Sequence, residues 1–201
     1  MKKFLFLGIC ALCVSPALAD KGIIKPYVGG GVGVVFPQYN KNLKDIAEYA
    51  DLDLPSSYFG LGVEAGMNFD VDTKILNHGI SFSYDYIFDT DVGNSVVDEK
   101  FGFSAWNVAF DNYVRIGKIN NNKIDLMFGI GVGNAVERAK SPYYGLLKEN
   151  SDVVVLKFGT DIQIAEYTDW YTTLRGFIPL EENDDINSII SIQTGLRYNF
   201  W

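Results

Sequence analysis

A single histidine, His78, is the only candidate in this sequence for histidine-based chemistry. Ser81, Ser83 and Asp85 follow it closely, and these are the residue types of a Ser/His/acid set for acyl transfer. In an extended strand, however, alternate residues share a face, so these three side chains lie on the face opposite His78. The sequence therefore predicts no catalytic residue, and we do not expect an enzyme.

Two glycine-rich runs, GGGVG at residues 29–33 and GIGVG at residues 129–133, invite comparison with phosphate-binding loops. A phosphate loop leads into a helix and carries a Lys followed by Ser or Thr, which neither run has. Glycines along one face of a strand instead let strands coil tightly and leave room for large side chains opposite them. We predict no cofactor site and no metal site. The acidic run EENDD at residues 181–185 is interpreted as a solvated loop, with a divalent-cation or partner surface as the alternative.

Charged residues within otherwise apolar, alternating segments are more informative. Each falls near the middle of its segment and shares a face with Gly, Ser or Asn. The six residues are Glu64, Asp85, Asp111, Asp161, Arg175 and Arg197.

The first residues of the chain have the pattern of a secretory signal peptide. Lys2 and Lys3 precede a short apolar stretch, and Ala17-Leu18-Ala19 is a small-x-small cleavage site. We predict cleavage after Ala19. A retained membrane anchor is the alternative, but the apolar stretch is short for one. A lipoprotein signal is disfavoured because Ile and Leu precede the two cysteines, where a small residue is required.

Removal of residues 1–19 would leave residues 20–201 as one domain without cysteine. The full chain has a net charge of −8, and loss of two lysines makes the remainder more acidic. This charge argues against a nucleic-acid partner and against docking on anionic lipid by charge.

Eight segments alternate apolar and polar residues with the period of a β-strand. Connections after the second, fourth and sixth segments are short, whereas the others are mostly longer and polar. The first long connection contains a stretch at residues 42–54 that could form a short amphipathic helix. The segments are residues 24–36, 58–71, 78–89, 101–117, 123–138, 152–167, 170–180 and 188–201.

This pattern predicts an all-β fold, an eight-stranded antiparallel up-and-down transmembrane β-barrel. The alternative is a soluble β-sandwich or lipocalin-like barrel, in which the apolar face would point inward. Composition favours the membrane barrel because aromatic residues cluster near strand ends on the apolar face, as in interfacial girdles. The six charges would then point into the lumen, where we expect opposite signs to pair; separate solvation by water is the alternative.

The last residues carry a specific pattern: polar-x-Gly-x-x-apolar-x-aromatic, formed by Gln193, Gly195, Tyr198 and Phe200. It resembles the C-terminal assembly signal of bacterial outer-membrane proteins, except that Trp201 lies one residue beyond the usual terminal aromatic. With the signal peptide and eight strands, the chain resembles small outer-membrane barrels of the OmpA-transmembrane and opacity-protein type.

The resemblance implies a bacterial outer-membrane location and a structural or surface-interaction role, adhesin- or antigen-like, with a lumen filled by side chains. The implied partners are outer-membrane lipid and lipopolysaccharide, the barrel-assembly machinery through the C-terminal strand, and an extracellular partner through the loops. The alternatives are a narrow porin-like channel for small solutes and, less favoured, a barrel-embedded lipid-modifying enzyme.

Overall fold

A computed structural model describes residues 24–39, 44, 45, 48, 56–69, 76–92, 99–119, 122–141, 145–180 and 186–200. Eight strands follow one another in sequence order around a closed barrel, and every neighbouring pair is antiparallel. The predicted fold class is confirmed. The strands are β1 (Ile24–Tyr39), β2 (Tyr58–Phe69), β3 (Leu76–Val92), β4 (Glu99–Ile119), β5 (Asn122–Ser141), β6 (Gly145–Ala165), β7 (Thr168–Pro179) and β8 (Ile186–Asn199).

Pairing between β1 and β8 closes the barrel. The first and last strands would otherwise expose two rows of unpaired backbone N–H and C=O groups, which is untenable in hydrocarbon. Among the described residues, no helix has the length and apolarity needed to cross a membrane.

The predicted long connection at residues 139–151 is wrong in most of its length. β5 continues to Ser141 and β6 begins at Gly145, with these two residues paired. Backbone hydrogen bonds between β5 and β6 continue after the alternation of apolar and polar residues has ended, because two strands can pair in water without burying an apolar face. The 21-residue strands β4 and β6 therefore extend well past the 12-residue strands β2 and β7 at this end.

Three predictions fall wholly or largely on residues that the structure does not describe. The signal peptide at residues 1–19 and the acidic run at residues 181–185 are wholly outside the described residues. In the predicted helix at residues 42–54, Lys44, Asp45 and Glu48 are helical, and the remaining residues are not described.

The apolar face of every strand points outward. On β5, for example, Phe128, Ile130 and Val132 are 46, 59 and 61% exposed, while the neighbouring Met127 is buried in the interior. Aromatic side chains pack together on this outer surface near the strand ends, as in the pairs Phe59–Phe88 and Tyr167–Tyr198. A continuous apolar surface with aromatic ends suits a bilayer and not water.

The interior is filled in three layers. Tyrosines lie toward the short turns, charged and polar side chains occupy the middle, and an apolar cluster lies toward the longer loops. Sequence alternation did not reveal the apolar layer because its members share their strand faces with polar residues. They are Val35, Tyr58, Ile87, Phe103, Ala105, Ala135, Val153, Val155, Phe177 and Ile189.

Candidate functional site

Arg197 on β8 is the centre of the charged layer. Its Nε and Nη2 donate to Glu64 Oε1 at 3.0 and 2.6 Å. Its Nη1 donates to Asp161 Oδ2 on the other side. The side chain is only 2% exposed, so one guanidinium holds two carboxylates from different strands in a site closed to bulk water.

Three tyrosine rings surround the same guanidinium. The Arg197 Cζ atom lies 4.4 Å from the ring centroid of Tyr27, 5.3 Å from that of Tyr171 and 5.7 Å from that of Tyr113. Ring faces attract a cation, and the attraction is stronger where water is excluded. The tyrosine layer thus stabilises the charge of Arg197 and closes the lumen toward the short turns.

Arg175 on β7 makes the second junction. Its Nη1 donates to Asp85 Oδ1 and Oδ2 at 2.8 and 2.9 Å, and its Nη2 donates to Glu64 Oε2 at 3.3 Å. Glu64 is therefore shared by both arginines. The contacts form one continuous charge chain, Asp85–Arg175–Glu64–Arg197–Asp161, with a carboxylate at each end.

Lys157 on β6 belongs to a second, smaller group. Its Nζ donates to Ser81 Oγ at 2.7 Å and lies 3.7 Å from Asp111 Oδ1. Sequence reasoning did not select Lys157 as a lumen charge. Its place on the same strand face as Asp161 was the signal that could have identified it.

The structure thus places all six sequence-selected charges inside the barrel but divides them between two groups. Five form the charge chain. Asp111 contacts neither arginine in the described contacts and lies beside Lys157 instead.

Glycine allows the charges of neighbouring strands to meet. Gly29 on β1 pairs with Glu64 on one side and with Arg197 on the other. A Cβ atom at Gly29 would lie 3.2 Å from Glu64 Cγ and 3.1 Å from the Leu196 carbonyl oxygen. The open space above Gly29 is therefore the path along which Arg197 reaches Glu64.

The same arrangement recurs on the opposite wall. Gly129 on β5 pairs with Asp111 on β4 and with Lys157 on β6. A Cβ atom there would collide with Asp111 Oδ1. Each glycine-rich run in the sequence therefore begins with a residue that separates an acid from a base, which explains the two runs without a phosphate ligand.

We expect two glycine substitutions to have opposite effects on stability. In Gly66→Ala, the new Cβ would lie 2.6 Å from Tyr27 Cζ and from the Ile80 carbonyl oxygen. Overpacking of this kind costs about 1–3 kcal/mol. Nothing lies within 4 Å of a Cβ at the outward-facing Gly176, so Gly176→Ala should gain roughly 0.5–1 kcal/mol. Urea midpoints of refolded protein in detergent micelles measure both, and equal effects would contradict the packing argument.

His78 lies on the outer surface, away from the polar lumen. Its Nδ1 is 2.8 Å from Asn112 Oδ1, and its ring stacks on Phe110 with centroids 5.6 Å apart. Ser81 and Ser83 are buried on the inner face of the same strand. The strand therefore separates the histidine from the serines.

The residues of the C-terminal pattern lie on both faces of β8. Gln193 is buried in the lumen, and Gly195 packs closely on Gly30 and Gly31 of β1. Tyr198 points outward and its ring centroid lies 5.3 Å from that of Phe200. The backbone N–H of Phe200 donates to the Pro26 carbonyl at 2.9 Å. Trp201 is outside the described residues.

Within the described part of the chain, no three His, Cys, Asp or Glu side chains are arranged to hold a metal ion. The charges there bind one another.

The fold is shared by solved outer-membrane proteins. The attachment invasion locus protein Ail of Yersinia pestis, solved with the heparin analogue sucrose octasulfate, is 13% identical, with a TM-score of 0.55 over 89% of this chain and 99% of that one. The N-terminal β-barrel domain of Pseudomonas aeruginosa OprF is 11% identical, with a TM-score of 0.51 over 87% and 97% of the two chains.

A major outer-membrane protein of Thermus thermophilus is 10% identical, with a TM-score of 0.51 over 88% of this chain and 99% of that one. No protein-family model matches the sequence, and no curated protein is significantly similar to it. At these identities the likeness concerns the fold: the chain has the architecture of small outer-membrane β-barrels.

Proposed function

We propose that this protein is a bacterial outer-membrane barrel with a structural and surface-interaction role, and that it does not conduct solutes. Export would depend on the signal peptide at residues 1–19, with cleavage after Ala19. The outward apolar surface and its aromatic ends support embedding in outer-membrane lipid and contact with lipopolysaccharide.

The closed interior carries the proposal of a non-conducting barrel. Arg175 and Arg197 are 1 and 2% exposed and join opposite walls through carboxylates. Beyond them, Phe103 and Phe177 pack edge to face at 5.9 Å in the apolar layer. A solute would have to separate ion pairs and then pass an apolar layer, and both steps are costly.

Planar-bilayer recordings on purified, reconstituted protein test this proposal. We expect no stable openings from the wild type, at protein amounts that give clear openings for a general porin. Stable openings with a reproducible conductance would reject the filled-barrel function and place the narrow channel first.

One observation favours the channel as the second candidate. Several buried polar atoms of the lumen have no hydrogen-bond partner within the described residues, including both side-chain amide atoms of Asn107, Ser83 Oγ and Ser191 Oγ. Water threading the barrel would satisfy them. The planar-bilayer recordings distinguish a lumen that only encloses water molecules from a lumen that conducts ions.

The part of the barrel beyond the membrane surface is the proposed interaction region. Residues 145–151 of β6 pair with β5 but, among the described residues, with no strand on their other side. An extracellular partner would meet this region and the adjoining loops. We do not propose a polyanionic ligand like the one bound to Ail, because the net charge of −8 on this chain would repel it.

A lipid-modifying enzyme is the remaining rival from another functional class. Expression in a bacterium followed by mass spectrometry of lipopolysaccharide tests it. We expect unchanged acylation; a change that disappears in His78→Ala would revive the enzymatic function.

A further inference from the structure

A small cavity adjoins one end of the charge chain. Its volume of about 20 Å³ suits about one water-sized species. Its lining contains residues of both the charged layer and the apolar layer. The lining includes Asp85, Ser191, Gln193, Ile87, Phe103 and Phe177.

Two oxygen atoms of the cavity lining have no partner. Ser191 Oγ and Gln193 Oε1 form no hydrogen bond within the described residues, although the two residues are only 7 and 4% exposed. The Gln193 amide nitrogen and Asp85 Oδ1 both lie over Gly62. Buried polar atoms in native proteins are nearly always satisfied, so these two oxygens point to a bound species.

Charge indicates the sign of that species. The charge chain contains three carboxylates, Asp85, Glu64 and Asp161, but only two guanidinium groups. Lys157 and Asp111 balance each other. If all three carboxylates are ionised, this charge chain carries one negative charge that its two guanidinium groups do not compensate, in a site where uncompensated charge is expensive. Glu64 contacts two arginines, whereas each terminal carboxylate, Asp85 or Asp161, contacts only one. An added cation is therefore expected beside a terminal carboxylate, and Asp85 is the one that lines the cavity.

We propose that this cavity binds one monovalent alkali cation, Na⁺ or K⁺, through the Asp85 carboxylate, Gln193 Oε1 and Ser191 Oγ. Oxygen ligands are those that hard cations prefer. A single carboxylate already shared with Arg175, together with two neutral oxygens, matches one positive charge; divalent ions generally recruit more carboxylates. The buried side chains of Ile87, Phe103 and Phe177 also line the cavity, so the ion would lie largely out of contact with bulk water.

Refolding in matched salts tests the proposal. The protein is refolded in NaCl, in KCl or in N-methyl-D-glucamine chloride of equal ionic strength, and the urea midpoint is measured in each. A cation that binds only the folded barrel raises the midpoint with a saturable dependence on its concentration. Equal midpoints in all three salts at every concentration would overturn the proposal.

Variants assign the effect to the cavity. Ser191→Ala should weaken the alkali-dependent shift at least several-fold. Ser83→Ala, which removes another buried and unpartnered hydroxyl outside the cavity lining, should retain it. Asp85→Asn removes the surplus charge, so it should lose the shift and be no less stable than the wild type in N-methyl-D-glucamine. A wild-type-sized shift in Ser191→Ala and Asp85→Asn would place the cation elsewhere and overturn the assignment.

Crystals of the wild type grown in RbCl provide a readout that does not require any variant to fold. We expect an anomalous peak between Asp85, Gln193 and Ser191. Density for an ordered water alone, without anomalous signal, would overturn a K⁺ site, whereas a Na⁺ site is overturned by equal midpoints in NaCl and N-methyl-D-glucamine chloride.

Discussion

Arg197→Ala should lower the free energy of unfolding of the barrel by about 3–5 kcal/mol, the usual cost of removing one partner of a buried ion pair. The substitution leaves Glu64 and Asp161 buried without the group that binds both of them. It also removes the cation from the faces of three tyrosine rings. Urea titration in detergent micelles, followed by tryptophan fluorescence, measures the change.

An exposed ion pair provides the matched control. Lys100 and Asp91 lie 3.1 Å apart with side chains 41 and 78% exposed. Lys100→Ala should therefore cost at most about 1 kcal/mol. A loss in Arg197→Ala as small as this would indicate that water solvates the lumen charges.

A double-mutant cycle separates pairing from general disruption. Glu64→Gln combined with Arg197→Ala should cost less than the sum of the two single changes, because the loss of Arg197 then leaves only Asp161, and no longer Glu64, as an unpaired charge. Strict additivity for Arg197 with Glu64, and for Arg175 with Asp85, would contradict the charge chain and favour a wet lumen.

Deletion of Phe200 and Trp201 should prevent insertion and leave unfolded protein in the periplasm. Residues 193–201 are predicted to be the assembly signal read by the barrel-assembly machinery. The deletion also removes the hydrogen bond from Phe200 N–H to Pro26 and the ring contact with Tyr198, both at the β1–β8 closure. Heat-modifiable migration on a gel distinguishes the folded barrel from unfolded protein.

Deletion of Trp201 alone is the control. If Phe200 holds the terminal aromatic position, this shorter deletion should insert nearly as well as the wild type. A double deletion that folds and inserts normally would show that the C-terminal pattern is not required for assembly.

The fold was predictable because its determinants are local. Period-two alternation is imposed on each strand by a surface that is apolar on one side only, so eight strands and their outward faces could be identified one at a time. The wrongly predicted strand bounds lie where the strands leave the apolar part of the barrel surface. The extension of β5 and β6 through residues 139–141 and 145–151 carries no lipid-facing pattern, and the sequence offered no signal for it.

Contacts inside the lumen depend on register between strands distant in sequence. Sequence identified Glu64, Asp85, Asp111, Asp161, Arg175 and Arg197 as charges on the inner face, but not which acid meets which base. Glu64 and Arg197 meet because Gly29 lies between them in the closed barrel. The partners of Lys157 could not be predicted for the same reason, since Ser81 and Asp111 belong to other strands.

By itself, then, the sequence determined the class of fold, the strand faces and six of the inward charges, since each follows from the residues of one strand in its surroundings. The tertiary structure decided the order of the charge chain, the odd carboxylate at its end, the apolar layer and the cavity between them. These features arise only when β1 pairs with β8, because closure fixes which side chains share the narrow interior and how far apart they lie.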